Sequence, residues 1–201
     1  MIRKLGVAVT AVTISSFCIA APATAESFTG TRGSDTIVGT QGSDVIRGKG
    51  GADTLMGRGG PDGILGGAGS DTVHAGGGDD AVDGGLGHDH ALGQKGQDYL
   101  KGGRGSDRLA GGGQADRVLG GFGGDWLAGG NRGDVIRPGG GRDTVYAGNG
   151  EDTIYVSVDG NAARHSKRDH IDCGDGHDTI VLTDGFVDPR DHFENCETIN
   201  D

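Results

Sequence analysis

The chain has 201 residues, of which 45 are Gly, 29 acidic and 18 basic, giving a formal net charge of -11. One Trp, three Tyr and five Phe are too few for an ordinary packed globule of this length. The basic residues are scattered among the acids, which excludes a surface suited to a nucleic-acid backbone.

Residues 1–25 read as a secretory signal peptide. Arg3 and Lys4 make a basic start, Leu5 to Ala20 an apolar run, and Ala23-Thr24-Ala25 a small-residue exit, with cleavage expected before Glu26. The apolar run is shorter than the ~20 residues a spanning helix needs. Cys18 follows Phe17, which does not fit a lipoprotein cleavage site. Export is therefore expected, and no later segment reads as a membrane span. Residues 26–29 form a short lead-in.

From Gly30 to Tyr155 the sequence divides into 14 nonapeptides without insertion or deletion. The first reads GTRGSDTIV and the last AGNGEDTIY. Position six is always Asp: Asp35, Asp44, Asp53, Asp62, Asp71, Asp80, Asp89, Asp98, Asp107, Asp116, Asp125, Asp134, Asp143 and Asp152. Position eight is Ile, Leu or Val except at Ala91, and glycine dominates positions one, two and four.

This pattern resembles the RTX, or haemolysin-type, calcium-binding repeat family. The resemblance implies a parallel β-roll with calcium held in the turns. The residues lead the same way on their own. Glycine allows positive φ and close backbone approach in the turns. The last three residues of each unit form a short β-prone segment with one apolar side chain facing inward. Two such segments facing each other give a flattened coil of two strands and two turns per 18 residues, and stacked repeats bury one another. The expected fold is all-β, a parallel β-roll (a β-solenoid) with a C-terminal cap.

Stacking aligns the aspartates in two ladders. One runs Asp35, Asp53, Asp71, Asp89, Asp107, Asp125, Asp143; the other runs Asp44, Asp62, Asp80, Asp98, Asp116, Asp134, Asp152. Strand spacing puts adjacent rungs about 4.8 Å apart. Bare charges at that spacing repel by roughly 3 kcal/mol at an effective dielectric near 20. Cations between the rungs relieve this, with up to six sandwiched sites expected on each side. Calcium suits carboxylates combined with backbone carbonyls, whereas Mg²⁺ holds its waters and wants tighter geometry. One aliphatic side chain per nine residues is little burial against the ordering cost of so glycine-rich a chain. Folding is therefore expected to be coupled to calcium.

Departures from the repeat mark positions to test. Gln114 and Arg132 replace the position-four glycine on adjacent rungs of the Asp44 ladder. The site between Asp116 and Asp134 is expected to be the weakest, with the Arg132 guanidinium beside the carboxylates in place of a metal ion. Arg132-Gly133-Asp134 imitates a cell-adhesion tripeptide, but its Asp belongs to the ladder. His74, His88 and His90 sit at repeat positions nine, five and seven, which fits a solvated surface better than a zinc site. His90, Arg108 and Trp126 share position seven of successive rungs, where Arg108 can stack on Trp126. They interrupt the threonine series Thr36, Thr54, Thr72 that an ice-binding face would need to continue.

Residues 156–201 hold interrupted repeats and a cap. The period breaks after Tyr155 and resumes with Asp169 and Asp178, nine residues apart. Phe186 and Phe193 suit closure of the open end. In an oxidising compartment Cys173 and Cys196 are expected to form a disulfide across this cap. These 46 residues are too few for a catalytic domain, and no nucleophile elbow or zinc-protease motif is present. The reading is a secreted, non-enzymatic calcium-binding protein, structural or surface-associated, with its protein or polysaccharide partner unspecified. The alternatives are an adhesin or toxin-related module and an accessory module of an extracellular enzyme. The N-terminal leader differs from the uncleaved C-terminal signal common in the family, which weighs against the toxin role.

Overall fold

The computed structural model describes residues 24–156, 168–183 and 190–200. The signal-peptide segment up to residue 23 and Phe186 lie outside the described residues.

Strands alternate between two sheets. The first sheet contains, in spatial order, β1 (Ser27–Thr29), β3 (Val45–Gly50), β5 (Gly63–Ala68), β7 (Ala81–Leu86), β9 (Tyr99–Arg104), β11 (Arg117–Phe122), β13 (Val135–Gly140), β15 (Thr153–Val156), β17 (Thr179–Leu182) and β19 (Thr198–Asn200). The second contains β2 (Thr36–Val38), β4 (Thr54–Gly59), β6 (Thr72–Gly77), β8 (His90–Lys95), β10 (Arg108–Gly112), β12 (Trp126–Asn131), β14 (Thr144–Gly150), β16 (His170–Gly176) and β18 (His192–Glu194). Each strand pairs in parallel with the strand two places along, so Ile46 lies beside Ile64 and Leu55 beside Val73. The molecule is a parallel β-solenoid, a β-roll, with no helix among the described residues.

Most strands have six residues, longer than the three-residue segments legible in the sequence. In β3 the pattern is Val45 out, Ile46 in, Arg47 out, Gly48 in, Lys49 out. The alternation of a strand thus continues across the repeat boundary into position one of the next unit. Glycine has poor intrinsic β propensity, but pairing on both sides overrides it. The turn shrinks to positions four to six.

Position eight forms the core. Ile46, Leu55, Ile64, Val73, Val82, Leu100, Leu109, Val118, Leu127, Ile136, Val145 and Ile154 are all buried, and Ala91 takes its place in the same column. Burying such side chains stabilises the stack by about 1.5–3 kcal/mol each.

The roll extends past the 14 repeats at both ends. β1 pairs Phe28 with Ile46, so the lead-in is itself a rung with an aromatic at position eight. After the break, Val145 pairs with Ile171 and Ile154 with Ile180, so register resumes across it. Phe193 then stands beside Ile171 and packs on the core. The Cys173–Cys196 disulfide is present, with its Cα atoms 5.2 Å apart.

Candidate metal centre: two buried aspartate ladders

Each turn places its Asp just before the strand starts, with the carboxylate inside the roll. Asp44, Asp53 and every later position-six Asp through Asp152 are buried, as is Asp178. The two oxygens have different fates. Oδ1 accepts the backbone N–H of the Asp one rung earlier: Asp44 N–H donates to Asp62 at 2.7 Å, Asp89 N–H to Asp107 at 2.8 Å, and Asp134 N–H to Asp152 at 2.7 Å. A continuous chain of charge-assisted hydrogen bonds therefore fixes every carboxylate.

Oδ2 has no such partner. In Asp53, Asp62, Asp71, Asp80, Asp89, Asp98, Asp107, Asp116, Asp125, Asp134, Asp152 and Asp178 it is buried and accepts no hydrogen bond. Buried polar atoms are almost always satisfied, and leaving one bare costs about 1–3 kcal/mol, more if it is charged. Repetition of the same omission on both edges marks a donor set aimed at something other than a protein N–H.

Glycine at position one shapes the space beside that oxygen. A Cβ built on Gly66 would stand 2.5 Å from Asp71 Oδ2 and 2.6 Å from the carbonyl oxygen of Gly84 on the next rung. A Cβ on Gly84 would likewise meet Asp89 Oδ2 at 2.5 Å and the Gly102 carbonyl at 2.8 Å. Carboxylate and carbonyl oxygens thus converge on a cradle that a side chain would fill. A hard, oxygen-seeking divalent cation fits this chemistry, and calcium accepts such mixed carboxylate and carbonyl sets.

The electrostatics agree. Burial is the largest cause raising these carboxyls above the usual value of 3.8: Asp134 to about 8, Asp80 to about 7, and Asp89, Asp116, Asp125 and Asp152 to about 6. Neighbouring aspartates of the ladder push in the same direction, while the amide hydrogen bond opposes them. Asp53, Asp62, Asp71, Asp98, Asp107 and Asp178 are raised as well, again chiefly by burial.

The first rungs are different. Asp35 Oδ2 accepts Thr31 N–H at 2.6 Å and the Thr31 hydroxyl at 2.9 Å; Asp44 Oδ2 accepts Thr40 N–H at 2.6 Å and its hydroxyl at 3.0 Å. These two carboxylates end their ladders with side-chain and backbone hydrogen bonds. At the far end the ladders run beyond the fourteenth repeat. Asp143 N–H donates to Asp169 and Asp169 N–H to Asp191; on the other edge Asp152 N–H donates to Asp178 and Asp178 N–H to Glu197. Upstream of Asp44, among the described residues, only the backbone of Glu26 joins in, its N–H donating to Asp44 Oδ1. Its place nine residues before Asp35 was a legible signal; Asp191 and Glu197 fall off the period and were not.

Arg132 departs from expectation. It is exposed, and among the described residues neither Asp116 nor Asp134 forms an ion pair with it. With φ at 76°, its backbone takes the left-handed turn conformation of the glycine it replaces, and the residue is solvent-exposed while the ladder carboxylates are buried. Asp116 N–H still donates to Asp134 at 2.8 Å, so the ladder is unbroken there. Asp134 is buried, so the adhesion-like tripeptide offers no exposed carboxylate. His74 faces Gln94, and His88 accepts the Ser106 N–H; they form no joint site with His90 among the described residues. Arg108 does lie over the Trp126 ring, 5.3 Å from its centroid.

Fold and site together define a β-roll repeat protein with two interior ladders of oxygen ligands. The sequence matches the RTX calcium-binding nonapeptide repeat in four copies, over residues 29–64, 64–91, 92–127 and 128–159. The chain belongs to this family of calcium-binding repeats. No curated protein sequence matches it significantly.

Proposed function

We propose that this is an exported, non-enzymatic protein whose activity is calcium binding coupled to folding of the roll. The carrying observation is the row of buried Oδ2 atoms that accept no hydrogen bond, with a next-rung backbone carbonyl beside those of Asp53, Asp62, Asp71, Asp89, Asp98, Asp107, Asp125 and Asp134. In this reading Asp53 to Asp152 supply the carboxylate ligands, Asp178 adds one more, and Asp35 and Asp44 terminate the ladders. Bound calcium offsets the repulsion between rungs and supplies the missing partner of each Oδ2. Extracellular calcium modules commonly work at about 10⁻⁴–10⁻³ M, which matches an environment rich in the ion. The basic, apolar and small-residue sequence of the first 25 residues supports export.

Equilibrium dialysis against calcium tests this. Several ions per chain, retained in excess Mg²⁺, are expected; a chain that retains none overturns the proposal.

An adhesive role is a second reading, favoured by the outer strip of Arg108, Trp126 and Tyr146. Calcium-dependent retention on immobilised polysaccharide would support it, and its absence across varied glycans would remove it.

A further inference from the structure

We propose a second metal site, selective for zinc-like ions, on the outer face of the second sheet at the C-terminal end of the roll. It is built from His170, His192 and Glu194. His170 and His192 lie directly opposite each other in the parallel pair β16–β18, and Glu194 is two residues further along, on the same face as His192. The two imidazole rings are stacked 11° from parallel with centroids 5.4 Å apart. One ligand atom from each of the three residues lies within 4.8 Å of the others. His192 Nε2 and Glu194 Oε1 already approach to 2.6 Å.

The donor chemistry separates this site from the ladders. The ladders offer oxygen alone, the set that hard calcium prefers. Two imidazole nitrogens and one carboxylate are the ligands of Zn²⁺, which takes three protein ligands and leaves a fourth position to water or an incoming group. The ligands are also held in place. Strand pairing fixes the two histidines, and the His170 and Tyr146 rings pack at 70° with centroids 6.1 Å apart. Asn195 donates to Asp172 at 2.7 Å, pinning the turn after Glu194 to β16.

The location gives the site a role. The Cys173–Cys196 disulfide and the His170–His192 pair both join β16 to the final segment of the chain. A metal ion here is a second clamp on the cap, one that responds to metal supply. His74 and His90, further back on the same sheet, lack such partners among the described residues and serve as controls.

The test is calorimetric titration of Zn²⁺ into the full chain in saturating calcium, with β-sheet content checked on the same sample by circular dichroism. One equivalent of Zn²⁺ per chain is expected. His170→Ala and His192→Ala should each weaken it at least tenfold with unchanged dichroism, Glu194→Gln should weaken it less, and His74→Ala and His90→Ala should leave it alone. Co²⁺ should give the intense visible bands of a low-coordinate site in the wild type and lose them in His192→Ala. Zinc affinity unaffected by both histidine substitutions, or no stoichiometric binding to a chain with intact β signal, overturns the proposal. A chain lacking β signal in calcium would instead count against calcium-coupled folding.

Discussion

The ladder carboxylate carries two duties on two oxygens. Oδ1 is held by the amide of the preceding rung, and Oδ2 is left facing a glycine cradle and a carbonyl. Asp107→Asn separates these duties, because the amide oxygen can still accept the Asp89 N–H while the charge is lost. We expect the calcium midpoint of this variant to rise roughly fivefold, about 1 kcal/mol, with the metal-free chain no less structured. An unchanged midpoint in a calcium titration would show that Asp107 is not a ligand. A proton linkage follows from the same burial. The carboxyls titrate near 3.8 when unfolded but at about 6 to about 8 in the metal-free roll for Asp80, Asp89, Asp116, Asp125, Asp134 and Asp152. Between those limits the folded form binds more protons, so stability of the metal-free roll falls as pH rises from about 4 to about 8. At pH 6 to 8 the unfolded, metal-free chain already carries these carboxyls ionised, so calcium-coupled folding releases few protons; protonation instead stabilises the metal-free roll, which should gain β signal as pH falls from 8 towards 4. Circular dichroism in chelator across this range checks the sign; β signal that does not rise on acidification contradicts the linkage.

At the scale of the element, each strand contributes one aliphatic residue, and stacking turns these into a core. Leu100, in β9, lies between Val82 and Val118 and is fully buried. Leu100→Ala should cost about 2–5 kcal/mol in the calcium-loaded roll, measurable by urea denaturation; a loss under 1 kcal/mol would mean the rungs collapse onto one another freely. The spacing of Asp and Ile/Leu/Val made the two-sheet coil, its register and the ladders legible, because an unbroken period admits one stacking. Strand length was hidden, since glycines at positions one to three look like turn residues until pairing partners flank them. Arg132 was misplaced for a related reason: it sits solvent-exposed on a left-handed backbone, and residue type alone does not reveal that. His170, His192 and Glu194 lie beyond the break in the period, so only the folded register brings them together.

Across the whole molecule, nearest-neighbour stacking makes every rung depend on the next. The ends are finished differently: Thr31 and Thr40 satisfy the first carboxylates, Phe28 and Phe193 pack on the apolar column, and a disulfide fastens the last turn. Between them the ladders leave a column of buried carboxyl oxygens along each edge. Once ionised, such a column is tolerable only with cations in place, so near pH 8 folding and calcium binding should be one event. Far-UV circular dichroism of the purified chain, begun in chelator and titrated with Ca²⁺ or Mg²⁺, tests this most directly. The account predicts little β signal in chelator and a cooperative gain with Ca²⁺ that Mg²⁺ does not reproduce. A roll already folded in chelator and indifferent to calcium would contradict it.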